Sequence, residues 1–276
     1  VIVFFSFKLF FGMIVGDVGY GLLLGGIVVV FWKRMGQSET GRRFRILFAA
    51  LVGTTVAWGA LVGSYFGMAP DRGTIFGAVK ILDLNDYDTM MMISISIGAA
   101  HVILANLMEV RRRGPSPASL DAGGWITMVI GGLILSAGGG SAGYWLLGAG
   151  AFLILLFTGV EGFGLKRLIQ GMLGLTRITN VFGDILSYLR LFALGLATSS
   201  LAVAFNDLAG QVRDGMPGLG LLFALVILLI GHTLNFALAM MSGFVHGLRL
   251  NFIEFFNWSA PEEGVSFRAF AKKETA

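Results

Sequence analysis

Long apolar runs alternate with short polar connections along most of the chain. A helix needs about 20 apolar residues to cross a hydrocarbon core of roughly 30 Å, so each such run predicts a membrane span. Six runs are clear, and they cover residues 46–66, 89–108, 122–139, 142–160, 178–205 and 219–252. The pattern therefore predicts an all-α bundle of transmembrane helices. The last two are longer than a direct crossing requires and must tilt or protrude.

The first apolar run, residues 1–32, is compatible with two topologies. Thirty-two residues form one steep helix of about 48 Å or two shorter passes. Gly16, Asp17 and Gly19 interrupt the run, and irregular polar backbone at membrane depth is tolerated only against protein or water. This favours a hairpin with eight crossings over a single helix with seven. The run is too long for a signal peptide. Because the chain begins at Val1 without a methionine, we expect it to be part of a longer protein.

Basic residues predict the orientation in the membrane, because they collect in cytoplasmic connections. They follow the first and third runs and precede the run at 178–205, at Lys33, Arg34, Arg42, Arg43, Arg45, Arg111, Arg112, Arg113, Lys166, Arg167 and Arg177. The alternate connections carry only Arg72, Lys80 and Arg213. The tail after Glu254, with Arg268, Lys272 and Lys273, is then cytoplasmic. We expect a multi-pass protein of the cell (inner) membrane with a cytoplasmic C-terminus.

Composition narrows the possible chemistry. Hydrophobic residues make up 56% of the chain and charged residues 13%, which excludes a water-soluble globule. The absence of cysteine excludes disulfides, thiol catalysis and thiolate metal sites. His101, His232 and His246 are too scattered to indicate a metal centre. No phosphate-binding loop occurs, and a net charge of +4 is weak evidence for nucleic acid in a membrane protein. We expect no cofactor, no metal and no nucleic-acid partner.

Arg190 is the strongest candidate for a functional residue. It lies near the middle of the run at 178–205, where an ionisable group costs at least about 2.5 kcal/mol to insert and indicates function. Its guanidinium stays protonated and needs a carboxylate, a carbonyl or water beside it. On a continuous helix, Asp184 would lie about 120° from Arg190 and be a poor partner, which points to an acidic group on another protein. The alternative is a buried ion pair that only orients the bundle.

Two helical faces combine polar groups at membrane depth. Ser187 and Thr198 share the predicted face of Arg190. A second face follows the last run, where Asn235, Ser242, His246 and Arg249 recur at spacings of seven, four and three. A polar stripe of this kind indicates a hydrated path, although Arg249 could also anchor the helix end by reaching the interface. Glu254, five residues later, is a candidate partner for Arg249 or a collecting carboxylate at the mouth of that path.

Three segments together resemble one family. Residues 10–21, 184–197 and 246–256 are similar to the membrane domain of the large stator subunit of vacuolar/archaeal-type rotary ATPases, called subunit a or subunit I. They occur in the family's order and bracket nearly the whole chain. The resemblance implies eight transmembrane helices spanning residues 1–276 and a cytoplasmic N-terminal arm that this chain does not include. It also implies two long tilted helices beside a ring of proteolipid subunits.

The resemblance also implies roles and partners. Arg190 matches the stator arginine that opposes the ring carboxylate, Arg249 matches a second arginine, and His246 and Glu254 match the family pattern. Eukaryotic members carry a glutamate and a histidine where this chain has Ala239 and Thr198, which puts a detailed proton relay in doubt. The implied partners are the proteolipid c/K ring, peripheral-stalk and central-stalk subunits and the lipid bilayer. The implied function is non-catalytic: coupling proton or sodium translocation to rotation.

The physical mechanism needs only a fixed positive charge and a passing carboxylate. An opposite charge within a few Å favours the ionised, ion-free carboxylate, so the bound ion leaves at that point. Asp184, Ser187, His246 and Glu254 could line a path to the inner side. An outer path could be lined by Thr198, Asn206, Asp207 and Asn235. The mechanism requires Arg190 to be open to the side of the bundle.

The sequence is also compatible with two functions other than a stator. A secondary transporter would have internal repeats and broken helices around a midplane polar site, with Arg190 enclosed by a central cavity. No convincing repeat is visible in the sequence. A purely structural scaffold for a membrane complex is the third possibility, but it leaves a mid-span arginine without a role.

Overall fold

The computed structural model describes residues 2–71, 73–117, 119–158 and 165–259. Within these ranges the chain is helical and contains no β-strand, which confirms the predicted all-α bundle. The helices are α1 (Ile2–Val15), α2 (Val18–Met35), α3 (Glu39–Val62), α4 (Ile75–Val79), α5 (Tyr87–Arg113), α6 (Ser119–Ser136), α7 (Gly140–Phe157), α8 (Leu165–Leu175), α9 (Ile178–Leu186), α10 (Leu189–Gly215), α11 (Gly220–Arg249) and α12 (Phe256–Ser259). A π-helical segment, Leu250–Phe255, joins α11 to α12.

Seven helical segments in the described part of the chain are long and apolar enough to cross a membrane, and α1 is a shorter apolar helix of 14 residues. The chain is a multi-pass membrane protein. Predicted span ends differ from the observed ones by several residues, and α3 begins at Glu39 rather than at residue 46. The end of the predicted span at residue 160, Arg72 and the basic tail (Arg268, Lys272 and Lys273) lie outside the described residues.

The connection with Lys166 and Arg167 contains a helix that the sequence analysis missed. Helix α8 exposes Leu165, Leu168, Ile169, Met172 and Leu173, which recur at helical spacing on one face. Its apolar pattern covers only 11 residues, which is shorter than a membrane span.

Helices α1 and α2 reverse direction at Gly16 and Asp17, as the hairpin interpretation predicts. The Thr54 hydroxyl of α3 donates to the Lys8 carbonyl of α1, and Gly16 lies near Trp58, so α1 and α3 run in the same direction. Farther on, Val18 packs at Gly59 and Gly25 at Val52, so α2 runs back along α3. Gly16 has a φ of +54°, a value that glycine adopts without strain.

Asp17 fastens this hairpin to the end of α3. Its carboxylate is 2% exposed and accepts four hydrogen bonds, from Tyr20 N, Ser64 Oγ, Phe66 N and Gly67 N, at 2.6 to 3.1 Å. Phe66 and Gly67 have φ values of +52° and +74°, and this left-handed backbone points successive N–H groups at one anion. The carboxylate therefore both caps α2 and holds the turn after α3.

Gly59 provides a test of the α2–α3 contact. A Cβ at Gly59 would lie 2.6 Å from Val18 N and 2.8 Å from Asp17 C, which are backbone atoms that cannot rotate away. We expect Gly59→Ala to destabilise the protein by about 1–3 kcal/mol, the usual effect of overpacking. Thermal unfolding in detergent measures this. Gly53→Ala is the control, because a Cβ at Gly53 meets nothing within 4 Å. Equal melting temperatures for both variants would contradict the prediction.

Helices α10 and α11 form a closely packed pair at the side of the bundle. Small residues recur at every fourth position on the buried face of α11, at Gly231, Ala239, Gly243 and Gly247, together with Asn235. Such residues let transmembrane helices approach closely. Aromatic rings fill the space opposite them: Phe205 lies on Gly231, and Phe11 lies on Gly243. The opposite face of α11 exposes large apolar side chains along its whole length.

Candidate functional site

Arg190 lies at the start of a helix rather than near the middle of one. The predicted continuous helix over 178–205 is interrupted at Ser187 and Tyr188, and Arg190 is the second residue of α10. Around the break the backbone changes to tighter bonds three residues apart, from Tyr188 N to Ile185 O and from Leu191 N to Tyr188 O. The sequence gives no glycine or proline signal at this break. The break instead coincides with the tertiary contacts of Tyr188 with Gly98 and His101 on α5.

Glu254 lies on the π-helical segment that follows Arg249. In an α-helix, residues five apart point about 140° away from each other. In the π-helical segment, hydrogen bonds close five residues apart, as between Phe256 N and Asn251 O, which brings such residues to nearly the same face. The predicted α-helix over 219–252 is therefore wrong at its end. The irregular turn allows Glu254 to reach Arg249.

The two arginines share one carboxylate oxygen. Arg190 Nη1 and Arg249 Nε each lie 3.9 Å from Glu254 Oε1. The Glu254 side chain is 3% exposed, compared with 25% for Arg190 and 48% for Arg249. Both distances exceed hydrogen-bonding length. The cluster of Arg190, Arg249 and Glu254, hereafter the charged cluster, thus carries net positive charge and reaches the surface of the bundle at its arginines. Glu254 itself is buried rather than at an open mouth.

Several polar atoms in and beside the charged cluster lack partners. Arg190 Nη1, Glu254 Oε2 and His246 Nδ1 are buried and form no hydrogen bond within the described part of the chain. Buried polar atoms are nearly always satisfied, so three orphans in one place indicate a site that receives a further group. An anion would suit Arg190 Nη1, whereas Glu254 Oε2 is an acceptor and needs a donor.

The predicted stripe on α11 is present, because α11 is one unbroken α-helix over these residues. Asn235 is 1% exposed, Ser242 and His246 are half-buried, and Arg249 is exposed, so the stripe leaves the core toward the charged cluster. His232 extends the stripe by three residues in the other direction. That spacing was the signal by which the sequence could have identified His232.

Asp184 and Ser187 have other partners than Arg190. The Asp184 carboxylate accepts a hydrogen bond of 2.7 Å from Trp258 Nε1 and a longer one from Asn257 Nδ2. The Ser187 hydroxyl donates to the Gly183 carbonyl of its own helix. The predicted common face of Ser187, Arg190 and Thr198 is interrupted by the break before α10.

A hydrogen-bonded network joins the candidate outer residues. Asn235 Nδ2 donates to the Thr198 carbonyl at 2.8 Å and to Tyr20 Oη at 2.9 Å. The ring of His232 lies between Tyr20 Oη, at 2.9 Å, and Asn206 Oδ1, at 3.0 Å. This network connects α2, α10 and α11 in the half of the bundle that contains Asp17. Asp207 does not join it and is exposed.

A cavity of about 370 Å³, with both polar and apolar lining, opens beside the same stretch of α10. Its lining includes Ser199 and Ser200 from α10, Ser64, and the loop residues Lys80 and Asp83. The Asn85 backbone N–H, followed by the charge of Lys80, holds the pKa of Asp83 below its usual range, so this loop carboxylate stays ionised. The cavity is large enough to hold water next to Ser199 and Ser200 of α10.

The two departures from the eukaryotic pattern have different surroundings. Ala239 is 1% exposed and packs in an apolar cluster with Phe7, Phe11 and other side chains. A carboxylate at this position would be desolvated without a partner in that cluster. Thr198, in contrast, lies in the polar network, and its hydroxyl donates to the Leu194 carbonyl.

Curated relatives match nearly the whole chain. The A-type ATP synthase subunit I of Pyrococcus abyssi is 32% identical over 98% of this chain and 42% of its own length. Subunit I from Methanocaldococcus jannaschii is 28% identical over 96% of this chain and 44% of its own. The V-type ATP synthase subunit I of Borreliella burgdorferi is 30% identical over 96% of this chain and 48% of its own length. The chain belongs to the subunit I family of A-type and V-type ATP synthases. No family model matches it.

The chain spans less than half the length of these subunit I relatives. Membership of this family favours a membrane subunit of a rotary ATPase over the secondary transporter and the structural scaffold that the sequence left open. The half-buried Arg190 and the exposed Arg249 on the α10–α11 pair agree with this choice.

Proposed function

We propose that this chain is the ion-translocating membrane region of a rotary ATPase stator, non-catalytic by itself, which couples proton or sodium movement to rotation of a proteolipid ring. The observation that carries the proposal is the charged cluster. Two guanidinium groups share one distant carboxylate oxygen, and the cluster reaches the side of the bundle. A second carboxylate, on a neighbouring protein, would complete it.

The electrostatics of the charged cluster suit a passing carboxylate. A ring carboxylate that arrives protonated or sodium-bound meets a net positive charge, which favours the ionised form and releases the ion. Arg190 cannot accept or lose a proton at physiological pH, so it does not itself conduct protons. It therefore separates the two sides while each carboxylate passes.

Two polar routes lead from α10 and α11. We assign His246, Asp184 and Ser187 to the inner path. We assign Thr198, Asn206, Asp207 and Asn235, together with the cavity near Asp83, to the outer path. Basic residues in the connections support this orientation and a cytoplasmic C-terminus in the cell membrane. Peripheral-stalk and central-stalk subunits are the further partners of such a stator.

Site-directed cross-linking tests the proposed contact with the ring. Val245 is 53% exposed and lies one turn before Arg249, and the chain has no cysteine of its own. We expect Val245→Cys in the whole complex to form a disulfide with a cysteine placed beside the ring carboxylate. Phe152→Cys on α7, with a side chain 61% exposed, is the control and should not cross-link. Equal cross-linking at both positions, or none at Val245, would contradict the proposal.

A further inference from the structure

His101 on α5 contacts both chain segments that carry the charged cluster. Its Nδ1 lies 2.6 Å from Tyr188 Oη, and its ring stacks on Phe255 with centroids 4.4 Å apart and an interplanar angle of 15°. Tyr188 precedes Arg190 by two residues, and Phe255 directly follows Glu254. One buried side chain on a third helix thus touches the neighbours of both charged partners.

Tyr188 is held in a close-fitting site on α5 and α1. Its side chain is fully buried, and a Cβ at Gly98 would lie 2.7 Å from its ring, so the ring lies directly on this glycine. Phe10 packs edge-on against both Tyr188 and His101, with centroids 5.6 and 5.2 Å away. Tyr188 also lies at the break between α9 and α10. Any shift of its ring moves the first turn of α10, which carries Arg190.

The hydrogen bond to His101 Nδ1 is the one that Tyr188 Oη makes among the described residues. Which of the two atoms donates depends on the tautomer of the His101 ring. Loss of either member leaves the other as an unpaired polar group in the core. Loss of both members leaves no such group, and the difference allows the bond to be tested.

We propose that His101 and Tyr188 are positioning residues that set the separation of Arg190 from Glu254. The inference rests on the proposed function, because it concerns the position of Arg190 relative to Glu254 in the charged cluster. Stacking of His101 on Phe255 holds the segment that carries Glu254. The hydrogen bond between His101 and Tyr188 holds the start of α10, which carries Arg190. Because His101 lies on α5, this helix links the two segments. Neither residue meets the transported ion.

The test compares ions moved per ATP hydrolysed in vesicles that contain the whole rotary complex. Tyr188→Phe and His101→Phe should each lower this ratio below that of the wild type, because each removes the hydrogen bond that holds the first turn of α10. The double variant should be no worse than the more affected single variant. A merely structural role would reduce the amount of assembled complex and its melting temperature but leave the ratio unchanged.

Two further variants separate the possible failures. Thr158→Val is the matched control, because it removes a hydrogen bond of 2.9 Å to Asp121 between α6 and the end of α7, which carry no member of the charged cluster, and its ratio should equal that of the wild type. Arg190→Gln tests the proposed function itself. Full coupling in the His101 and Tyr188 variants with no transport in Arg190→Gln would overturn this inference alone. Transport in Arg190→Gln would overturn both. If a single variant does not assemble, the double variant decides.

Discussion

Replacement of Arg190 by glutamine should reduce ATP-driven ion transport to the background of vesicles without the complex. Glutamine keeps much of the side-chain length and hydrogen-bonding capacity but removes the permanent charge. A nearby opposite charge changes the proton affinity of a carboxylate by about 10- to 1000-fold. Without it, a ring carboxylate keeps its ion as it passes, and rotation no longer transfers ions. Fluorescent dyes that report the ion gradient across vesicles measure the effect.

Arg213→Gln is the control for this experiment. Arg213 lies on the same helix, α10, near its other end, and is exposed and paired with Asp214 at 2.8 Å. An exposed pair of this kind contributes little, so transport and assembly should be unchanged. Arg190→Gln complexes must also assemble in normal amounts, because Arg190 makes only one distant ion pair within the described chain. Normal pumping by assembled Arg190→Gln complexes would refute the stator mechanism.

Much of the fold follows from the sequence, because membrane spans obey strong constraints. Lipid offers no hydrogen bonds to the backbone, so each long apolar run must be a helix. The glycines and Asp17 within the first run likewise indicated the hairpin. The break before α10 was not predictable, since Ser187 and Tyr188 are ordinary helical residues and the break depends on Gly98 and His101, about 90 residues earlier. Long-range packing of this kind leaves no local pattern.

The candidate site was partly accessible from the sequence for the same reason. A charged side chain within an apolar run stands out, so Arg190 and Arg249 could be named, and Glu254 was named because it follows Arg249 by five residues. Their distances could not, because they depend on the π-helical segment after α11. Tyr20 and His232 were missed since tyrosine and histidine are common packing residues at helix surfaces. For His232 the spacing from Asn235 was a signal in the sequence, whereas for Tyr20 only the hydrogen bonds to His232 and Asn235 show its role.

Replacement of Asp17 by asparagine should cause the largest loss of stability among the substitutions considered. In the native protein each carboxylate oxygen accepts two hydrogen bonds: Oδ1 from Tyr20 N and Phe66 N, Oδ2 from Ser64 Oγ and Gly67 N. Asparagine has the same shape, but its amide nitrogen must face two donors. Hydrogen bonds to a charged group are the stronger kind, and unpaired buried donors add to the loss. We expect the free energy of unfolding to fall by about 3 kcal/mol, which a lower melting temperature in detergent would show.

The matched control is Asp71→Asn, on the exposed connection between α3 and α4, which should melt like the wild type. The consequence of the Asp17 variant should extend beyond stability. Phe66 N donates to Asp17 and Phe66 O accepts from Asn206, so the same peptide segment connects the carboxylate to the hydrogen-bonded network of Asn206, His232 and Asn235. Release of the turn should therefore free the Asn206 side chain and increase hydrogen exchange at Phe66 and Gly67. Unchanged exchange and melting would mean that Asp17 does not hold the turn, and its burial would then need another explanation.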